Sequence, residues 1–323
     1  MGFTCSCRWP YYVFESSTYN VFLFFRTVMG KGDGEPDPTP AVKNAETTRV
    51  YPLWEEEENI KPMNFPDASG VRVNMMYPTD NTYWTRLKEF VDYEPTTAIV
   101  PELRGVLASI GIIKGQPFKP SQRQSELLQK AVETAPRMIL ALRQLGREDG
   151  RNLYYKDRQW ERAWGAGTAE WMQDSYLDIN QRASFFQYAY SSAPAMVMRT
   201  TGAGSKYPYT LRDADGKFLQ GANTYRLHLP ANPPAGLFWA VTAYNITDGT
   251  MPETAQLLPS TNGYYDLPKN DDGSLDIWFG TQKPAEVADS AFIQTISGRN
   301  FPSPTMVRGS RTGRYSSALT CSL

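Results

Sequence analysis

The stretch that decides the fold of the second half of this chain is residues 223–244, NTYRLHLPANPPAGLFWAVTAY. Its first residues alternate between the two faces of a strand, with apolar Tyr225, Leu227 and Leu229 on one face and polar Thr224, Arg226 and His228 on the other. Three prolines then end the strand, and residues 237–244 are apolar on both faces. The pattern predicts a half-buried strand followed by a central strand that is covered on both sides.

Turn signals on either side of this stretch indicate further strands. Asp-Ala-Asp-Gly at residues 213–216 and Asn-Asp-Asp-Gly at residues 270–273 are typical hairpin turns, in which glycine supplies the positive φ angle. Residues 274–279 follow the second turn as another strand candidate. Short strands at this spacing favour a jelly-roll-like β-sandwich, which we predict for residues 165–301.

Residues 79–164 change to a helical period. Asp80 can cap a first helix, Pro101 can start a second one, and Ser121 with Gln124 matches the capping box of a third. Pro136 lies inside the third helix, where it removes one backbone hydrogen bond and is expected to cause a kink. The pattern predicts a small helical domain with its own apolar core.

The two ends of the chain complete the predicted organisation. Residues 1–78 contain strand and loop patterns, which indicate a partial N-terminal β domain. Residues 302–323 are rich in Ser, Arg, Gly and Pro and are predicted to be a disordered tail. With 24 Gly and 24 Pro along the chain, we expect a mainly β protein with a helical middle domain.

Composition and charge exclude several classes of protein. Lys plus Arg number 33 and Asp plus Glu number 34, without a basic stripe, so nucleic-acid binding is not expected. No apolar stretch is long enough to span a bilayer, and Arg8, Trp9 and Pro10 interrupt the N-terminus before a secretory signal can form. Gly2 and Ser6 match a short myristoylation pattern, for which the alternative is a chance match.

His228 is the only histidine in the sequence, and this limits the chemistry. One histidine cannot form a metal site of two or three histidines within one chain, and the sequence has no phosphate-binding glycine motif, so we predict neither a metal nor a cofactor. Arg226 is expected on the same strand face, so the two form the candidate catalytic pair, with His228 as general base and Arg226 as an anion-binding group. The alternative is an ordinary exposed or hydrogen-bonded histidine. A common serine hydrolase is not expected, because there is no Gly-x-Ser-x-Gly elbow.

Aromatic and polar residues offer further candidate sites. Trp239, Tyr244 and Trp278 are candidates for a sugar-binding face, and the alternative is packing in the core. The aspartates of the two hairpin turns are possible calcium ligands, but they fit turns better and match no twelve-residue calcium loop. Asn245 begins an Asn-Ile-Thr sequon, which matters only if the chain enters a eukaryotic secretory route.

A series of motifs resembles a known pair of families. In chain order these are residues 107–112 (LASIGI), 115–120 (GQPFKP), 178–183 (DINQRA), 190–196 (YSSAPAM), 202–205 (GAGS), 212–216 (RDADG), 225–230 (YRLHLP), 238–239 (FW), 241–244 (VTAY), 272–276 (DGSLD) and 293–295 (IQT). Together they are similar to the paired families named domain of unknown function 1254 (DUF1254, N-terminal) and domain of unknown function 1214 (DUF1214, C-terminal). The resemblance extends over residues 11–300.

This resemblance implies an immunoglobulin-like β domain, then a helical domain, then a jelly roll, without established catalytic residues. It also implies that relatives are often exported. The chain departs from the family pattern in a shorter N-terminal domain, in Ala291, Phe292 and Asn245, and after residue 301. We therefore expect a truncated N-terminal domain and an aberrant C-terminal tail.

Two functions from different classes remain open at this point. One is a protein that binds a small molecule or a carbohydrate, or that is associated with the cell envelope, without catalysis. The other is a hydrolase or lyase that acts on a carbohydrate or small organic substrate in a cleft between β domains, through His228 and Arg226. A redox metal enzyme of the cupin type would need subunits of a homo-oligomer to share a site, because each chain has a single histidine.

Overall fold

The helices and strands follow one another along the chain in a mixed order. The computed structural model describes residues 15–21, 23, 27, 30–31, 36–51, 66–68, 71, 77–148, 150–155, 157–163, 168, 170–189, 205–233, 235, 238–247, 249–300, 303–308 and 320–322. Its helices are α1 (Thr39–Thr47), α2 (Thr82–Tyr93), α3 (Pro101–Ser109), α4 (Gln122–Glu148) and α5 (Ile179–Ala189). Its strands are β1 (Gly30–Lys31), β2 (Pro36–Asp37), β3 (Glu161–Arg162), β4 (Ser205–Lys206), β5 (Pro208–Thr210), β6 (Tyr225–Leu229), β7 (Phe238–Thr242), β8 (Ser260–Asn262), β9 (Leu275–Gly280), β10 (Phe292–Gln294), β11 (Ser303–Arg308) and β12 (Thr320–Ser322).

The chain divides into two compact units. The first unit combines residues 1–26 with residues 76–135, and the second combines residues 27–75 with residues 136–323. No helix among the described residues combines the length and the apolar character needed to cross a membrane.

The first unit contains α2, α3 and the first part of α4. Trp84 of α2 donates its indole Nε1–H to the carbonyl of Leu128 on α4, at 3.1 Å. Val91 of α2 and Val132 of α4 are buried apolar side chains of this unit. Pro136 lies inside α4 without ending the helix. The helical period of this segment therefore predicted the helices correctly, although each begins or ends a few residues away from its sequence signal.

The N-terminus of α4 forms the expected capping box. Ser121 N donates to Gln124 Oε1 at 2.9 Å, and Gln124 N donates to Ser121 Oγ at 3.3 Å. Two backbone N–H groups that the first turn would leave without a partner are thereby satisfied. This part of the fold follows from local sequence alone.

Replacement of Ser121 by alanine is expected to lower the free energy of unfolding by about 1 kcal/mol, since the Gln124 amide then loses its acceptor. Urea unfolding followed by far-ultraviolet circular dichroism measures this change. Ser125→Ala, one turn further into the same helix, is the matched control. The control should lose nothing, because alanine is the better helix former. Equal stabilities of the two variants would contradict the capping role.

Among the described residues of the second unit, two sheets have more than two strands. One has the order β10-β9-β6-β12 and the other has the order β3-β5-β11-β7-β8, with β4 also paired to β11. The β9–β10 pair is parallel, whereas the β6–β9 and β7–β11 pairs are antiparallel. The inner side chains of both sheets meet in one buried cluster, which includes Tyr225, Leu227, Ile277, Phe279 and Ile293 from the first sheet and Trp239 and Val241 from the second.

The expectation of a mainly β chain is only partly met. Helix exceeds strand, and the strands form small sheets without a closed barrel among the described residues. One reason lies in residues 1–78, where β1 and β2 form a short hairpin but α1 is a helix. Asp37 Oδ1 accepts the Thr39 amide at 2.9 Å ahead of this helix. Most of residues 1–35 and 52–76, which belong to this predicted β domain, lie outside the described residues.

The C-terminal tail, predicted to be disordered, contains two strands. β11 pairs with β7 over four residues, from Thr305 opposite Val241 to Arg308 opposite Phe238. β12 pairs with β6 in the other sheet. An unpaired strand edge exposes a row of N–H and C=O groups, and a distant segment with suitable alternation can satisfy them. Tail composition alone does not reveal such long-range pairing.

Candidate functional site

His228 and Asp276 form a hydrogen-bonded pair on the four-stranded sheet. They occupy opposite positions in the β6–β9 register, and His228 Nδ1 lies 2.8 Å from Asp276 Oδ1. Because the contact with Asp276 engages Nδ1, a ligand or substrate proton would meet the imidazole at Nε2. A carboxylate on one ring nitrogen is the arrangement that orients a histidine for binding or for proton transfer.

Arg226 and Trp278 occupy the next register position on the same face. They lie opposite each other in the β6–β9 pair, with the guanidinium carbon 5.9 Å from the indole ring centre. Arg226 Nη1 also lies 3.7 Å from Asp276 Oδ2. We call these four residues, Arg226, His228, Asp276 and Trp278, the outward face. It exists because β6 and β9 alternate, with their apolar residues directed into the core.

The outward face is partly accessible to solvent. The side chains of Arg226, His228 and Asp276 are 48%, 36% and 19% exposed. Hydrogen bonds from the Ser274 hydroxyl and amide hold the pKa of the nearby Asp272 carboxyl below its ordinary value. The face therefore presents a cation, an imidazole, a carboxylate and an indole ring to a ligand.

The other two aromatic residues of the predicted sugar-binding face lie elsewhere. Trp239 belongs to the buried core and packs against Gly263, where an added Cβ would come within 2.6 Å of the indole Nε1. Tyr244 follows β7 in the chain, and burial raises the pKa of its phenol. Trp278 is half-buried and packs against the core cluster that contains Trp239, although β9 and β7 belong to different sheets.

The predicted modification sites and the possible calcium ligands either have local structural roles or lie outside the described residues. Asn245 is 5% exposed and its Nδ2 donates to Thr250 Oγ1 at 3.0 Å, so the atom that would carry a glycan is buried. Gly2 lies outside the described residues. Gly216 and Gly273 take positive φ angles in the two Asp-rich hairpin turns, as expected. No group of three possible metal ligands occurs in the part of the chain that the structure describes.

A second polar cluster, which the sequence did not indicate, is buried in the same unit. Tyr209 donates its hydroxyl to Glu161 Oε2 at 2.9 Å and accepts from Arg143 Nε at 3.1 Å. Arg147 Nη1 binds Glu161 Oε1 at 3.0 Å, and Arg147 also binds the side chain of Gln159. Glu161 is 1% exposed. A buried carboxylate that is held by an arginine and a tyrosine in this way belongs to a structural ion cluster, and its cost of desolvation is offset only while these partners remain in place.

Asp276 is the member of the outward face that sequence reasoning left without a role. Asp276 lies in the 272–276 motif, at a position that faces the polar side of a predicted strand. Its partner His228 is 48 residues away in the chain. The alternation of β6 and β9 indicates that all four residues lie on the side of each strand that faces away from the core. Alternation within a strand does not indicate which residues of the two strands lie opposite each other.

The comparisons with known proteins find a family match over about a third of the chain. Residues 204–306 match the family model described as "Protein of unknown function (DUF1214)". This confirms the DUF1214 part of the resemblance, while the DUF1254 part stays a prediction. No curated protein matches the chain significantly.

Two crystal structures are similar at 15% sequence identity. One is the VPA0106 protein from Vibrio parahaemolyticus, with a TM-score of 0.38 over 78% of this chain and 58% of that chain. The other is a putative uncharacterized protein from Burkholderia cenocepacia, with a TM-score of 0.25 over 58% of this chain and 51% of that one. This chain thus spans little more than half of either structure, and scores this low carry no argument about the site. The segment with the outward face, residues 204–306, is what resembles the family of unknown function DUF1214.

Proposed function

We propose that this chain is a non-catalytic binding protein for a carbohydrate, and that the outward face holds the ligand. The observation that carries the proposal is the placement of Arg226, His228, Asp276 and Trp278 at adjacent register positions on one partly exposed sheet face. An indole ring can stack on the apolar side of a sugar, and the polar groups beside it can bind the hydroxyls.

The charges of the face favour sugars that carry a carboxylate. Arg226 and Asp276 are 3.7 Å apart, which is longer than a hydrogen bond, so the guanidinium keeps donors for a second acceptor. Arginine binds planar carboxylates through paired N–H groups. A uronate ring over Trp278 with its carboxylate on Arg226 uses both side chains at once.

The fold proposed around this face is the jelly-roll-like sandwich of residues 165–301. The buried cluster shared by the two sheets of the second unit supports a sandwich, because side chains from both contribute to it. The immunoglobulin-like character of residues 1–78, the helical domain of residues 79–164 and a homo-oligomeric state remain predictions.

Isothermal titration calorimetry of the full chain with glucose, galactose, glucuronate and galacturonate tests the proposal. We expect a uronate to bind more tightly than its neutral counterpart. Trp278→Ala should weaken binding of all bound sugars about tenfold or more. Arg226→Gln should remove the preference for uronates. Tyr265→Ala changes an exposed aromatic residue outside the face and is the control. Unchanged affinities in the Trp278 and Arg226 variants would exclude this face.

The alternative function is a hydrolase or lyase in which His228 acts as general base. The observation in its favour is the 2.8 Å contact between His228 Nδ1 and Asp276 Oδ1, which orients the ring. Incubation of the chain with polygalacturonate, followed by assays of reducing ends and of unsaturated products, tests it. Turnover that His228→Ala abolishes without loss of binding would replace the non-catalytic function with this one.

A further inference from the structure

The first unit contains a half-open cavity of about 400 Å³ that is remote in sequence from the outward face. It is bounded by the end of α2, the turn after it, α3 and the loop that follows α3. Its apolar lining consists of Val91, Pro95, Ile99, Pro101, Leu107 and Ile112, among others. This volume and composition fall within the ordinary range of small-molecule sites, about 300–1,000 Å³ and mostly apolar.

The side chains of Glu94 and Lys114, two of the charged residues in the lining, form hydrogen bonds within the protein. Glu94 is 2% exposed, and its carboxylate accepts the amides of Tyr19 and Asn20 and the Asn20 side-chain Nδ2. Lys114 Nζ donates to the carbonyls of Val91, Asp92 and Glu94 at 3.2, 2.5 and 2.8 Å. These contacts anchor the loop and the end of α2, so they shape the cavity and leave little for a ligand.

Arg104 is the third charged residue of the cavity lining, after Glu94 and Lys114. It lies in α3 and lines the cavity, and its Nε is buried without a hydrogen-bond partner among the described residues. A buried guanidinium N–H without an acceptor is costly. With Glu94 and Lys114, the charged side chains of the lining sum to one positive charge. The lining therefore carries a net positive charge, and the Arg104 Nε–H has no acceptor among the described residues.

We propose that this cavity binds a small monocarboxylic acid with an apolar body, such as an aromatic acid or a short fatty acid. The carboxylate accepts from the Arg104 guanidinium, and the apolar body fills the space lined by Val91, Ile99 and Leu107. Charge complementarity selects the acid over its neutral analogue, because burial strengthens an ionic hydrogen bond. The site is independent of the carbohydrate face, and each can fail without the other.

Isothermal titration calorimetry of the full chain with benzoate and with benzyl alcohol tests the charge requirement. Benzoate is expected to bind at least tenfold more tightly than benzyl alcohol. Arg104→Met should weaken benzoate binding by about 10- to 100-fold and leave benzyl alcohol unchanged. Arg123→Met removes the same group at an exposed position of α4 and should have no effect. Equal affinities for the two probes, or full benzoate binding by the Arg104 variant, would overturn the proposal.

A substitution that fills the cavity provides the second test. Gly105 lines the cavity, and apart from its chain neighbours and the backbone of its own helix, no heavy atom of the described residues lies within 4 Å of the position that its Cβ would take. Gly105→Leu should therefore fold, keep its circular dichroism spectrum and abolish benzoate binding, whereas Gly105→Ala should bind almost normally. Benzoate binding by a folded Gly105→Leu variant would place the acid elsewhere.

Discussion

Replacement of Glu161 by alanine is expected to lower the free energy of unfolding by about 3–5 kcal/mol. The carboxylate is 1% exposed and accepts from Tyr209 and Arg147. Without it, Arg147 and the neighbouring Arg143 keep their positive charges inside the unit, and the Tyr209 hydroxyl loses its acceptor. Arg212 adds to this repulsion, since burial and the charge of Arg147 lower its pKa. The penalty comes from buried positive charges that the carboxylate no longer balances.

Urea unfolding of the Glu161 variant, followed by tryptophan fluorescence, measures this loss. Asp157→Ala is the matched control, because Asp157 pairs with Arg158 at 3.2 Å but is 70% exposed. A surface pair of this kind contributes about 0–1 kcal/mol, so the control should stay close to the wild type. A Glu161 variant no less stable than the Asp157 variant would show that the cluster is not stabilising the fold.

Replacement of Phe279 by alanine is expected to cost a similar amount, about 3–5 kcal/mol. Phe279 is fully buried at the centre of the four-stranded sheet, opposite Tyr225 on β6 and Ile293 on β10. The substitution removes the contacts that the buried ring makes in the core. It leaves a cavity that the sheet cannot close, because backbone hydrogen bonds hold β9 to the strands on both sides.

The same unfolding measurement applies to Phe279, with Phe186→Ala as control. Phe186 lies on α5 and is 54% exposed, so its replacement should change the free energy of unfolding by only about 0.5 kcal/mol. The Phe279 variant should also weaken binding at the outward face, since Trp278 precedes it on β9. A loss below about 1 kcal/mol would mean that the two sheets do not share a packed core.

Local signals predicted several elements correctly. The Ser121–Gln124 capping box forms as expected, because its partners are three residues apart and need no tertiary structure. The alternation of β6 likewise predicted that Leu227 is buried and Arg226 is exposed. The two residues of the capping box are close in the sequence, and the alternation of β6 can be seen directly in its five residues.

Signals that depend on composition were less reliable. The Ser-, Arg- and Pro-rich tail contains β11 and β12, whose partners Val241 and Leu227 lie far away in the chain. The aromatic candidates Trp239 and Trp278 belong to different sheets. Composition indicates the structure that a segment favours in isolation. Whether the segment pairs as a strand depends on which strand edges elsewhere in the fold have no neighbour.

By itself, the sequence determined the helical segment, the alternation of the main strands, the two glycine turns and the position of Arg226 and His228 on one strand face. Only the tertiary structure decided that Asp276 meets His228, that Glu161 gathers Arg147 and Tyr209, and that Arg104 borders a cavity. The physical reason is distance along the chain. Helix caps, turns and strand alternation are set by neighbours within a few residues, whereas strand register and side-chain burial are set by packing between distant segments.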